Sequence, residues 1–255
     1  MPGISLQSGV IYGPILSRRL GRSLGINLLP GTHKVCSFDC VYCQYGRTDI
    51  LTIDPPHNIF PGVDEVLESV AYALSKPRTI NYLTFSGNGE PTLHPDFAEI
   101  VEGVKHLRDQ LRPTSKIAIF SNGSRLFRKE MISAINLMDL PMMKLDAGDL
   151  LTFGTINRPV NEVRFVDILD GLRTINKLVI QSMLIDGDIS NIHGEAYEMW
   201  VDKLSILKPD AVHIYSTERP TAEKNIKSVS RKKLEIIQED LAERFGLRVQ
   251  AYWRS

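Results

Sequence analysis

The chain has 255 residues, of which 43% are apolar and 24% charged, with 30 basic side chains against 30 acidic ones. This length fits one large α/β unit or two small ones, and the balanced charge argues against a global field drawing the protein to nucleic acid or anionic lipid. No run reaches the roughly 18 apolar residues of a membrane helix, and the start Met1-Pro2-Gly3-Ile4-Ser5 carries no signal-peptide pattern.

In chain order, the first thirty residues are punctuated by Gly9, Gly13, Pro14 and Gly21 and carry the basic group Arg18, Arg19 and Arg22. A first buried strand is predicted over Leu24 to Leu29, stopped by Pro30-Gly31. Helix-spaced apolar residues follow from Val63 to Leu74, then a strand over Tyr82 to Phe85. The next helix runs from Phe97 to Leu111 behind Asp96 as its N-cap, and the next strand from Ile117 to Phe120. A helix over Phe127 to Met138 leads to a strand at Met142 to Leu145. The second half reads as a helix from Val163 to Ile175, a strand from Leu178 to Ile185, and a helix from Ala196 to Leu207. A strand at Ala211 to Tyr215, a helix at Lys233 to Phe245 and a strand at Leu247 to Trp253 complete it.

About seven strands separated by helices imply parallel pairing with helical crossovers, and no change of composition marks a domain boundary. Chemistry in such folds belongs at the C-terminal ends of the strands, and the unusual residues of this chain stand there.

All three cysteines fall within Cys36-Ser37-Phe38-Asp39-Cys40-Val41-Tyr42-Cys43. An odd, tightly grouped count argues for metal or redox use in a reducing compartment, the cytoplasm, over a disulfide framework. Three thiolates on one loop can converge on a metal centre but cannot complete a four-iron cluster. Two plain alternatives fit the same loop. One is a zinc site closed by His33; the other is an electron-transfer cluster closed by a non-cysteine ligand.

The Cys-x3-Cys-x2-Cys spacing, with aromatic Tyr42 before the last cysteine, resembles the defining motif of the radical S-adenosylmethionine (radical SAM) superfamily. That resemblance implies a partial (β/α)6-type TIM barrel with an additional C-terminal strand. It makes Cys36, Cys40 and Cys43 the catalytic ligands of a [4Fe-4S] cluster whose open iron is chelated by the methionyl group of SAM. Reductive cleavage then yields a 5′-deoxyadenosyl radical that abstracts hydrogen from a substrate. A single domain over residues 1–255 is expected, with a core at about 24–215, an N-terminal extension at 1–23 and a C-terminal helix and strand at 230–255.

Further motifs carry the same resemblance. Gly87-Asn88-Gly89-Glu90 is similar to the family's Gly-Gly-Glu element, with Asn88 inserted, and glycines there permit close backbone approach to a zwitterion. Ser121-Asn122-Gly123 resembles the Thr-Asn-Gly element that reaches ribose or carboxylate, although such a tripeptide is also a common turn. Lys144 and Asp146 share one face of a strand, positioned either to bind SAM or to pair with each other. Tyr42 joins these as a cofactor-side residue. Thr217-Glu218-Arg219-Pro220 resembles a Thr-x-Arg-Pro stretch in a branch related to wyosine-tRNA synthases, so Tyr215, Thr217, Arg219 and Gln181 are substrate-side candidates. Those synthases use a second cluster, for which this chain has no cysteines left.

The expected partners are SAM, an electron donor such as flavodoxin or ferredoxin, and an RNA or protein substrate, with no membrane. Activation of a glycyl-radical enzyme is the enzymatic alternative; an iron-sulfur electron carrier or zinc-binding module is the other. The basic groups at 18–22 and 224–233 fit either an anionic polymer or a solvated surface.

Overall fold

A computed structural model describes residues 3–253; Met1, Pro2, Arg254 and Ser255, which fall in the expected N-terminal extension and C-terminal segment, lie outside the described residues. In chain order the strands are β1 (Ile11–Ser17), β2 (Gly21–Ile26), β3 (Val35–Cys36), β4 (Ile50–Leu51), β5 (Tyr82–Phe85), β6 (Lys116–Ser121), β7 (Leu140–Lys144), β8 (Val179–Gly187), β9 (Ala211–Ser216), β10 (Ile226–Ser228) and β11 (Val249–Tyr252). The α-helices are α1 (Val63–Ser75), α2 (Phe97–Leu111), α3 (Lys129–Asn136), α4 (Leu150–Asn157), α5 (Phe165–Leu172), α6 (Gly194–Leu207) and α7 (Arg231–Phe245).

Six strands, β2-β5-β6-β7-β8-β9, pair in parallel in that order, and β11 adds in parallel to β9. The order runs on from β1 to β11 without returning, so the sheet is a partial (β/α)6-type barrel with one extra C-terminal strand. Apolar spacing explains the crossovers: α1 buries Val66, Val70 and Leu74, and α2 buries Phe97, Ile100, Val101 and Val104. Each such side chain contributes about 1.5–3 kcal/mol when fully buried. Among the described residues no helix is long and apolar enough to cross a membrane.

Register decides what faces the concave side. Met142, Val179 and Ala211 stand side by side, and Leu20 and Ala118 pack with them as a floor. One pleat further along the same face stand Lys144, Gln181 and His213, again in register. Alternate residues such as Leu83, Ile117, Ile180 and Ile214 point the other way into the core. Both faces of a parallel sheet are covered, which is why these strands read as continuous apolar runs.

The strands β1, β3, β4 and β10 and the helix α4 are absent from the sequence reading; β1 and α4 among them border the site. The punctuated N-terminal stretch holds β1, antiparallel to β2, with an irregularity between Tyr12 and Ile15 where Gly13-Pro14 breaks the alternation. The β1–β2 pair also needs Gly25, since a Cβ there would lie 2.1 Å from Cζ of Tyr12. The second departure is α4, hidden because its apolar residues Leu150 and Leu151 face solvent. Asp96 does hold the position before α2, but its side chain makes no capping bond; its backbone N–H donates to Nδ1 of His94 (3.1 Å).

Candidate active site

The cysteine loop hangs between two supports. On one side, the Val35 N–H donates to the Asn88 carbonyl (3.0 Å) and the Glu90 N–H to the Val35 carbonyl (3.1 Å). Gly89 permits this approach: its φ is +144°, and a Cβ there would sit 1.8 Å from the Val35 carbonyl oxygen. On the other side, the end of α4 takes the loop's backbone, with Val41 N–H to the Ile156 carbonyl (3.0 Å) and Asp39 N–H to the Asn157 carbonyl (3.1 Å).

The three thiols are free and line one cavity of about 450 Å³. Asn157 Nδ2 donates to Cys40 Sγ (3.5 Å), and Asn122 Nδ2 reaches Cys36 Sγ (3.7 Å). Burial pushes the Cys36 thiol up to about 12, against the pull of Lys34. Such a thiol gives up its proton when a metal takes its place. Burial works against the charge on Lys34, yet the sulfurs of Cys43, Cys36 and Cys40 outweigh it and raise its pKa; Nζ donates to the Gly46 carbonyl (2.8 Å).

Among the described residues no three His, Cys, Asp or Glu side chains gather as a single ion requires. His33, the fourth ligand of the zinc alternative, is exposed and has its Nδ1 2.8 Å from the Thr32 hydroxyl. In a cubane cluster, by contrast, each thiolate takes its own iron, so the donors stand apart. Three cysteine thiols lining one cavity are the donor type that holds an iron-sulfur cluster.

Next to the thiols, Glu90 is a brace. Its Oε1 accepts from the Thr92 N–H (3.1 Å), the Thr92 hydroxyl (2.6 Å) and the Ser121 hydroxyl (2.8 Å), while Oε2 accepts from the Asn122 N–H (2.7 Å). Burial raises its pKa, and those donors hold it back. Asn122 in turn donates to the Ser37 hydroxyl (2.9 Å), locking the end of β6 to the cysteine loop. Gly87, Gly89, Glu90, Ser121 and Asn122 all line the cavity.

Asn88 does not. Its side chain is buried, bonded to Gln7 and to the Pro30 carbonyl, so the inserted residue ties loops together behind the wall. Asp146 is likewise behind it, with its carboxylate accepting from Tyr42 Oη, from Asn157 Nδ2 (2.7 Å) and from the Met183 N–H (2.8 Å). Lys144 lies on the cavity side, with Nζ 2.8 Å from Tyr42 Oη and 3.6 Å from Asp146. Burial opposes the Lys144 charge, but the Asp146 carboxylate outweighs it and the pKa rises. Of the two sequence alternatives, Lys144 and Asp146 pair, and Lys144 also faces the cavity.

Among the substrate-side candidates, Gln181, Tyr215 and Arg219 line the cavity, whereas Thr217 is buried outside it. The sequence reading passed over Asn157 and Lys34 and gave Arg19 only as a member of a basic group. Lys34 stands two residues before the first cysteine, and Asn157 ends α4, whose N-cap Asp149 accepts from the Thr152 N–H (2.8 Å). The basic group at 18–22 splits: Arg18 pairs with Glu218 on the surface, and Arg19 enters the cavity.

An open parallel half-barrel with three unpaired thiols at one strand end defines a class of iron-sulfur enzymes. The family profile for that class matches residues 32–202, and the chain belongs to the radical SAM superfamily. Members are enzymes that bind a [4Fe-4S] cluster and S-adenosylmethionine and use SAM for radical chemistry. More particularly, the chain is 35% identical to the UPF0026 protein MJ1312 of Methanocaldococcus jannaschii, over 91% of this chain and 70% of that one. It is 31% identical over 90% of its length to a Brachyspira hyodysenteriae protein named GTPase Obg, of which it spans only 33%. Among solved structures it resembles TYW1 with a lysine-pyruvate adduct bound (TM-score 0.61, 15% identity, 88% of this chain and 74% of that one). Streptococcus suis SuiB bound to S-adenosylmethionine gives a TM-score of 0.61 at 15% identity, covering 87% of this chain and 49% of that one. At such identities the likeness shows the fold.

Proposed function

We propose that Cys36, Cys40 and Cys43 each hold one iron of the cluster, leaving the fourth to SAM, and that the enzyme abstracts hydrogen from part of a larger substrate, RNA or protein. The observation that carries this is the shared cavity, lined together by the three thiols, the glycine-rich strand end, Lys144, Gln181 and Tyr215. When bound, the cluster and SAM supply an electron and a 5′-deoxyadenosyl radical. The chain's own part is positioning. Gly87 and Gly89 offer backbone donors and acceptors to a zwitterion, and Ser121 and Asn122 present short polar groups fixed by Glu90. Lys144 supplies a positive charge, and Tyr42 with the Asp146–Asn157 pair fixes the loop from behind. The unclosed sheet supports a substrate larger than the cavity. The electron comes from a small reductant such as flavodoxin or ferredoxin.

Anaerobic reconstitution tests this reading. The expected result is a brown protein with about four irons per chain that releases 5′-deoxyadenosine from SAM with dithionite. An iron-loaded protein that never cleaves SAM, or a colourless one with a single zinc, overturns it. Incubation with RNA and protein fractions in deuterated solvent then identifies the substrate by SAM-dependent mass change; a glycyl radical appearing on a protein partner would reassign the enzyme as an activase.

A further inference from the structure

We propose that Arg19 forms the floor of a carboxylate subsite, so that the substrate of the reaction above carries a carboxylate into the cavity. The inference rests on that reading of the cavity and deepens it. Arg19 stands in the turn between β1 and β2, next to Leu20, which packs into the floor formed with Ala118, Met142, Val179 and Ala211. From there the guanidinium enters the cavity that the cysteines line. Its Cζ lies 4.7 Å from the ring centre of Phe120 and 4.9 Å from that of Tyr215. Nη1 donates to Gln181 Oε1 (3.2 Å), and Gln181 is itself held by the Met142 carbonyl (3.3 Å) and the Tyr215 hydroxyl (3.4 Å). The cation is therefore aimed as well as half-buried.

Its charge is unanswered. Among the described residues no carboxylate lies within 4.0 Å of Arg19, whereas its neighbour Arg18 grips Glu218 through two bonds of 2.8 and 2.7 Å. The acid that lines the cavity, Glu90, has both oxygens taken by four donors. Lys144 is committed to Tyr42 and Asp146. A guanidinium brings five N–H donors, and one is used here. A half-buried cation over aromatic faces is stabilised by the rings, and its remaining in-plane donors are open to an acceptor that enters the cavity. A planar carboxylate meets an arginine fork through two coplanar bonds and balances one charge with one charge. A phosphate dianion would leave a negative charge against Phe120 and Tyr215 unless it also drew in Arg219, another cavity cation with no carboxylate within 4.0 Å among the described residues.

The test uses the cluster-loaded enzyme with SAM bound and takes acetate and inorganic phosphate as probes, with chloride at matched ionic strength as control. The expected result is that acetate slows phenylglyoxal modification of Arg19, located by peptide mass, at least five-fold over chloride. The linewidth of ¹³C-acetate should broaden with wild-type enzyme and not with Arg19→Gln or Arg19→Lys, while SAM affinity of both variants stays within two-fold. Equal broadening by Arg19→Gln, or protection by phosphate and not by acetate, overturns the carboxylate subsite. So does protection by acetate that SAM abolishes, since the anion would then occupy the seat of SAM's own carboxylate. A protein that binds acetate through Arg19 but holds no cluster would instead sink the proposed function.

Discussion

The wall around the cysteines and the floor beneath them are built on opposite principles. At the wall the buried carboxylates and amides that hold the loop are spent: Glu90 accepts four bonds, Asp146 three, and Asn122 and Asn157 join strand ends to the loop. At the floor, the Arg19 cation lacks a carboxylate and Nδ1 of the buried His213 lacks a partner among the described residues. A site for a fixed cofactor gains from preorganisation, because its ligands must be held in one geometry. Of the two floor groups, Arg19 has its unused donors facing the cavity, where a ligand can complete them.

The largest expected effect breaks the wall at its centre. Cys40→Ala removes a thiolate that no other cysteine can replace, so the intact cluster and 5′-deoxyadenosine release disappear together; iron analysis and product chromatography check this. Retention of both would show that the ligands are misassigned. A smaller effect comes from the wall's backbone. Gly89→Ala places a Cβ against the Val35 carbonyl at a φ that side chains avoid, with an expected loss of about 2–4 kcal/mol of stability. Urea unfolding of the apoprotein measures it, and a loss below about 0.5 kcal/mol would mean that the loop has slack.

The smallest effect belongs to the floor. Burial first, and the Arg19 charge second, lower the His213 pKa to about 4. A base with a depressed folded-state pKa binds its proton more readily when unfolded. Its contribution is thus fully present above the ordinary value near 6.5 and is lost as pH falls toward 4. Between pH 7 and pH 5 the apoprotein should lose about 2 kcal/mol from this residue, and His213→Gln should flatten that slope. An unchanged slope would place the proton uptake elsewhere.

What was legible in the sequence was what is local. Seven parallel strands and most crossovers follow from apolar runs and helical spacing, and the cysteine spacing carries its chemistry within eight residues. Distant contacts were not legible. Asn88 and Asp146 sit at motif positions but point behind the wall, because a strand end offers two faces and only packing selects one. Asn157 escaped notice with α4, whose exposed Leu150 and Leu151 blur the periodicity. Arg19 looked like one member of a basic surface group.

By itself, then, the sequence determined the alternation of parallel strands and helices, the three thiols and the order of the strand-end motifs, all of which depend on residues close together along the chain. The half-barrel came only from the family resemblance. The tertiary structure decided which polar groups are spent on holding the loop and which are left for a ligand. That division depends on hydrogen bonds across separations such as Arg19 to Gln181 and Tyr42 to Asp146, which no local pattern encodes.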